Sequence, residues 1–343
     1  RLWGDFPVIT TVADDITSEN IDEVYPQYFP KQNTELEAYQ QIEKDLLDAV
    51  LYAPDNTPGN KTLFSKSVAR TLLAKIYAEK PLRDYTKVIQ YCDEVKEDGF
   101  DLVDDFSDLF GMNAAGTDAK MRNTKESILE AQFTSGAGNW CTWMFGRDLV
   151  NWNNNFTWAK WVTPSRDLIS AFKQEGDEVR FKESIVYYDC NWSNYYPSDN
   201  YPFMYKCRSA NSSIIKYRYA DVLLLKAEAL IMQDTPDLEG AADIIDEVRD
   251  RAKLGALPTS VRSNKNVLLN ALLKERRLEL AFEGQRWFDL VRLDKVEEVM
   301  NAVYSKDSGR KAQIYTFDKN SYRLPIPQSV IDANDKIHQN PGY

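Results

Sequence analysis

Between Glu35 and Tyr52, the residues Leu36, Tyr39, Ile42, Leu46, Leu47, Val50 and Leu51 recur three or four apart, with Glu37, Gln41, Lys44, Asp45 and Asp48 between them. A strand turns every second side chain inward, so this spacing demands an amphipathic helix with one apolar stripe. Pro54, Pro58 and Gly59 stop it. A second stretch then places Val68, Leu72, Leu73, Ile76 and Tyr77 on one face, and Pro81 breaks it before a third, Asp84 to Glu97, which ends at Gly99. Three helices separated by short breaks predict stacked hairpins over residues 35–98.

A comparable pair spans Tyr217 to Met232 and Leu238 to Ala252, with Pro236 in the turn. Both pairs carry Ala-x-x-Leu-Leu-x-Lys, as Ala69, Leu72, Leu73 and Lys75 and again as Ala220, Leu223, Leu224 and Lys226. Helix, turn and helix with small alanines at the crossings is how tetratricopeptide-like units pack. A further helical segment covers Asn266 to Arg292, closed at Gly284 and resumed at Arg286. Its acids and arginines, three and four apart, are expected to fix packing through Arg–carboxylate bonds between neighbours. The expected fold class is all-α, tetratricopeptide-like hairpins joined by long aromatic-rich loops.

Charge and residue counts remove several functions. Lys and Arg number 42 against 53 Asp and Glu, a net charge of −11, and no basic patch offsets it, so nucleic acid is not expected as a partner. The single histidine, His338, lies in a polar tail, which leaves no Ser-His-Asp, Cys-His or histidine metal site to build. Four cysteines without Cys-x-x-Cys spacing argue against zinc, and no glycine-rich phosphate loop or twelve-residue calcium loop occurs. No cofactor is expected, and the histidine-dependent reaction classes are nearly excluded. Cys190 and Cys207 are open to two readings, a disulfide stapling an aromatic loop or buried thiols.

The region 135–210 differs in character. Six of the eight tryptophans lie there, Trp140, Trp143, Trp152, Trp158, Trp161 and Trp192, with Tyr187, Tyr188, Tyr195, Tyr196, Tyr201 and Tyr205 and many asparagines. Asn-Trp-Asn-Asn-Asn and Asn-Trp-Ser-Asn-Tyr-Tyr-Pro are poor helix formers, which predicts loops at the surface. A flat ring stacks on the apolar C–H face of a sugar while amides and guanidinium groups take its hydroxyls. The expected ligand residues are Trp140, Trp143, Trp152, Trp192, Tyr195, Arg147 and Asn151. Trp158 and Trp161 are expected to pack inward.

Five segments in order resemble the SusD/RagB family of glycan-binding outer-membrane lipoproteins. They are Trp3-Gly4-Asp5-Phe6-Pro7-Val8, Ile42-Glu43-Lys44-Asp45-Leu46, the stretch Arg218 to Ala229, the stretch Glu275 to Arg292, and Leu324-Pro325-Ile326-Pro327 with Gln339-Asn340-Pro341-Gly342-Tyr343. The resemblance implies one SusD-like domain over 1–343, with helical pairs at 35–98, the ligand region at 135–210 and scaffold motifs at 216–343. It further implies an oligosaccharide ligand bound without catalysis, a SusC-like TonB-dependent transporter as partner, and an N-terminal lipid anchor facing outward from the outer membrane. Glu275, Arg277, Glu279, Arg286 and Asp289 carry over as structural positions. Because Trp3 to Pro7 resembles a place well inside the family's N-terminal half, an earlier piece with a lipidated cysteine is expected. Two alternatives stand beside this reading. One is an all-α glycosidase with two carboxylates, for which only Asp148 and Asp189 stand out in the aromatic stretch. The other is a helical scaffold for peptides.

Overall fold

Thr34 opens the first long helix, α1 (Glu35–Tyr52), with a reciprocal cap: its hydroxyl accepts from the Glu37 amide at 3.2 Å, and the Glu37 carboxylate accepts from the Thr34 amide at 2.8 Å. Amides that the first turn leaves without partners are satisfied this way, and the helix has the bounds its periodicity predicts. The structure, a computed structural model, describes residues 1–133, 162–190, 195–306 and 316–343. A hairpin of α2 (Lys66–Ala78) and α3 (Tyr85–Glu97) follows. Asp84 caps α3 by accepting from the Lys87 amide, and Gly99 ends it at φ +90°, a backbone state that a side chain would oppose.

The rest of the chain adds α4 (Arg166–Glu175) and α5 (Glu178–Ser184), then α6 (Tyr219–Met232), α7 (Leu238–Arg251), α8 (Lys265–Glu279), α9 (Arg286–Arg292) and α10 (Val296–Lys306). The helical segment expected from Asn266 to Arg292 is therefore two helices, with Gly284 at φ +75° between them. Short strands lie among them: β1 (Ser127–Ala131), β2 (Ile185–Tyr188), β3 (Tyr201–Met204) and β4 (Ile214–Arg218). β1 pairs antiparallel with β4 and β2 with β3, Tyr188 lying opposite Tyr201. The helical class holds, but α4, α5, β2 and β3 fall inside the region expected as loops. α4 buries only Leu168, Ile169 and Phe172, α5, β2 and β3 are too short to show a period, and the strands are completed only by partners elsewhere in the chain.

The hairpins α2/α3 and α6/α7 pack against one another through α3 and α6, with α8 closing the other side of α6. Their shared core holds Val68, Leu73, Val88, Val95, Leu224, Ile231, Ile245 and Leu272. Ala69, Ala74, Ala220, Ala227, Ala241 and Ala242 are fully enclosed, the small residues that let helices approach closely. Tyr77 of α2 and Tyr91 of α3 stack at 5.8 Å and 6°, and the Tyr77 hydroxyl donates to Glu43 on α1, tying three helices together.

Two buried ionic layers tie the later elements to this core. Glu279 accepts from Arg180 at 3.1 Å, from Arg218 at 2.5 Å and from Arg251, while Glu126 accepts from both Arg218 and Arg251 at 2.7 Å. Arg276 grips Asp289 through two bonds of 2.9 Å, and Arg292 grips Glu228 through two of 2.7 Å. Charges taken this far from water persist only when paired, so these arginines fix the relative placement of α5, α6, α7, α8 and α9. Glu275, Glu279 and Asp289 act as the sequence predicts for scaffold positions. Arg277 bonds Asp167 at 2.7 Å, and Arg286 donates to the Leu273 carbonyl at 3.0 Å.

Candidate functional site

Ser165 caps α4 by accepting from the Leu168 amide at 3.1 Å. One side of this helix, Leu168, Ile169 and Phe172, is buried against Leu278 and Ala281 around α8. On the adjoining face Arg166, Ile169, Ser170, Lys173 and Gln174 follow the i, i+3, i+4, i+7, i+8 spacing of a single stripe. Opposite them stand Tyr187 of β2 and Tyr196, Pro197 and Asn200 of the turn before β3, and the space between is a cavity of about 440 Å³.

The aromatic wall is built by mutual support. Tyr195 and Tyr196 meet edge to face at 4.8 Å, Tyr196 meets Tyr201 the same way at 5.7 Å, and Tyr201 lies 5.0 Å from Phe203. The Arg166 guanidinium sits 4.3 Å from the centres of both the Tyr195 and Tyr196 rings and donates to the Tyr195 carbonyl. Cation and rings hold each other in place there. Tyr196 donates to the Pro164 carbonyl at 2.8 Å, and the Tyr201 and Thr163 hydroxyls share a bond of 2.6 Å. These bonds lock the turn against the start of α4. Burial raises the Tyr187 and Tyr201 hydroxyls above the ordinary tyrosine range, so both stay protonated donors at neutral pH.

The cavity is thus lined by two tyrosines with hydroxyl, amide and cationic groups beside them. Among the described residues no carboxylate lines it. Asp167 turns to Arg277, and Glu175 is held by Arg249 at 2.7 Å and by Lys274. Burial alone would raise the Glu175 carboxyl, but these cations outweigh it and hold it below the usual range. Asp189 is exposed and outside the lining.

Of the expected ligand residues, Trp140, Trp143, Arg147, Asn151, Trp152 and Trp192 lie outside the described residues, as do Trp158, Trp161 and Asp148. Tyr195 is described, half-buried, and flanks the cavity through Arg166 and Tyr196 rather than lining it. Sequence reasoning singled out the tyrosine cluster but missed the polar stripe on α4. The signal was Arg166-x-x-x-Ser170-x-x-Lys173-Gln174 just ahead of the tyrosine-rich turn. Cys92 and Cys190 are buried free thiols, so the Cys190–Cys207 staple does not form and the thiol reading holds for Cys190. Among the described residues no group of acids, cysteines and histidine is placed to hold a metal, and no helix is long and apolar enough to cross a membrane.

A second cavity, about 470 Å³, lies where the first and last motifs meet, walled by Trp3, Phe6, Pro7, Ile326, Val330 and Ile337. Its frame is held by bonds to backbone carbonyls: the Leu324 amide donates to the Leu2 carbonyl at 2.7 Å, and the Asn340 side chain donates through Nδ2 to the carbonyls of Trp3 and Leu324. Its walls are apolar, with few groups to orient a hydroxylated ligand.

The sequence profile of the SusD family matches residues 204–343. SusD-like protein P2 of Formosa agariphila is 29% identical over 392 aligned residues, covering 100% of this chain and 70% of that protein. A SusD-like protein of Bacteroides ovatus is 26% identical, covering 85% of this chain and 55% of its own length. Among solved structures, a SusD-like protein of Bacteroides fragilis superposes with a TM-score of 0.74 at 21% identity, covering 100% of this chain and 76% of the other. A laminarin-binding SusD-like protein gives 0.71 at 24% identity, covering 100% and 75%.

Proposed function

Because this chain belongs to the SusD family, we propose that it captures an oligosaccharide at the cell surface and passes it, without chemical change, to a SusC-like TonB-dependent outer-membrane transporter. The observation that carries this reading is the cavity on α4. Tyr187 and Tyr196 offer ring faces for sugar C–H surfaces, and Ser170, Gln174 and Asn200 offer groups for the hydroxyls around them. A structural neighbour that binds laminarin supports a glycan as ligand class. In the same reading residues 1–343 act as one SusD-like unit held at the outer membrane by an N-terminal lipid. Trp140, Trp143, Trp152 and Trp192, with Arg147, Asn151 and Tyr195, extend the binding surface of the 135–210 region.

Isothermal titration against plant, host and microbial oligosaccharides tests the proposal, repeated with Tyr196→Ala and with each of the four tryptophans changed singly to Ala. Expected is binding to at least one glycan that a single change abolishes while the melting temperature holds. Silence towards the whole panel would end the glycan reading. Release of new reducing ends from a bound glycan would replace capture by hydrolysis.

A further inference from the structure

Acidic residues outnumber basic ones 53 to 42 in this chain, yet the only charged side chains lining the α4 cavity among the described residues are Arg166 and Lys173. The reversal has a structural cause. The two acids of α4 are turned away from the cavity and neutralised, Asp167 by Arg277 at 2.7 Å and Glu175 by Arg249 at 2.7 Å and by Lys274. The cations of the same helix face the opposite way. Lys173 is exposed, its ammonium group makes no ion pair or hydrogen bond among the described residues, and it stands one turn beyond Ile169 and Ser170 on the cavity stripe. Arg166, seven residues earlier, is fixed between two tyrosine rings. Asp199, next to the lining residue Asn200, is exposed and outside the cavity wall.

A neutral sugar needs ring faces and hydroxyl partners, which the cavity already has. An unpartnered ammonium on the same wall adds a feature that a neutral ligand does not use, and a carboxylate or sulfate uses well. We propose that this cavity selects anionic glycans, with Lys173 receiving the acidic group of a uronic acid or of a sulfated sugar, Arg166 adding positive charge to the same wall, and Tyr187 and Tyr196 stacking on the sugar ring. This rests on the glycan-binding reading above and adds the charge of the ligand to it.

The test is isothermal titration of the full chain with matched pairs that differ only in charge: oligogalacturonate against its methyl ester, and a sulfated galactan oligosaccharide against its desulfated form. Lys173→Gln and Lys173→Arg are measured beside the wild type, at low and high salt. Expected is binding of one charged member about tenfold or more tighter than its neutral counterpart, weakened by salt. Lys173→Gln should lose about threefold to tenfold of that affinity and Lys173→Arg should retain most of it. Whichever pair responds tells carboxylate from sulfate. Equal or tighter binding of the neutral members overturns the charge selection and leaves glycan capture standing. Preference for the charged member without loss in Lys173→Gln overturns its assignment to this cavity. No binding of any glycan, charged or neutral, overturns both.

Discussion

The ammonium of Lys75 and the carboxylate of Asp221 lie 2.5 Å apart in the core, although 146 residues separate them in the chain. Lys75 closes the first copy of the Ala-x-x-Leu-Leu-x-Lys repeat and Asp221 sits inside the second, so the two helical hairpins are bolted to each other at the motif they share. Asp221 also accepts from Arg276 at 2.7 Å, which brings α8 into the same joint.

Removing this carboxylate leaves the buried Lys75 ammonium without its anion and takes from Arg276 one of its two acids. Asp221→Ala is expected to cost about 3–5 kcal/mol in urea unfolding, the range for breaking a buried ion pair from one side. A cost below about 1 kcal/mol would mean that Lys75 and Arg276 find other partners or water.

The same joint gives a pH dependence of definite sign. Burial alone would raise the Asp221 carboxyl, but Lys75 and Arg276 outweigh it and hold it well below the usual range. A group depressed in the folded state adds stability above its unfolded value, about 3.9. That stability is lost as pH falls further. The stability gap between wild type and Asp221→Asn should therefore be full at pH 6 and shrink steadily below pH 4 in urea midpoints.

Lys206 predicts a change of the same sign, stability rising with pH, at the alkaline side. Burial lowers its ammonium to about 8 despite Glu283, which accepts from it at 2.6 Å. Between this value and the unfolded lysine value of about 10.4, the unfolded chain holds the proton more firmly, so stability gains from this group as pH rises from 8 towards 10. Lys206→Met should lack this rise when its pH profile is laid over that of the wild type.

Leu224 is fully enclosed between the hairpins. Leu224→Ala is expected to cost about 2–5 kcal/mol, because the surrounding helices cannot collapse into the space. Thermal or urea unfolding measures it, and a value near zero would place the packing of α6 elsewhere.

The thiols offer a test that needs no mutation. Cys92 and Cys190 are buried, and burial pushes the Cys92 thiol far above its ordinary value. Neither should react with iodoacetamide in the native protein at pH 8, and both should react after denaturation, read by peptide mass. Fast native alkylation of Cys92 would contradict the packing of α3 on α6.

Local chemistry alone determined much of this protein. The Thr34–Glu37 cap, the apolar period and Pro54 are neighbours in the chain, so α1 was legible residue by residue; Asp84 and Gly99 bounded α3 in the same way. The ordered motifs from Trp3 to Tyr343 were legible as a family pattern, and they meet in space where the Leu324 amide bonds the Leu2 carbonyl and the Asn340 side chain bonds the Trp3 and Leu324 carbonyls. Tertiary structure decided the rest. β1 and β4 are five residues each and have no identity until Ser127 pairs with Arg218 and Ala131 with Ile214, more than 80 positions away. α4 was hidden because only three of its residues face the core, and its polar stripe acquired meaning only when the tyrosine-rich turn folded over it. The charge of that cavity was equally unreadable in sequence. Counting gives an acidic chain, whereas the direction in which Asp167, Glu175 and Lys173 project from one helix sets the local sign, and only packing against Arg277, Arg249 and Lys274 fixes that direction.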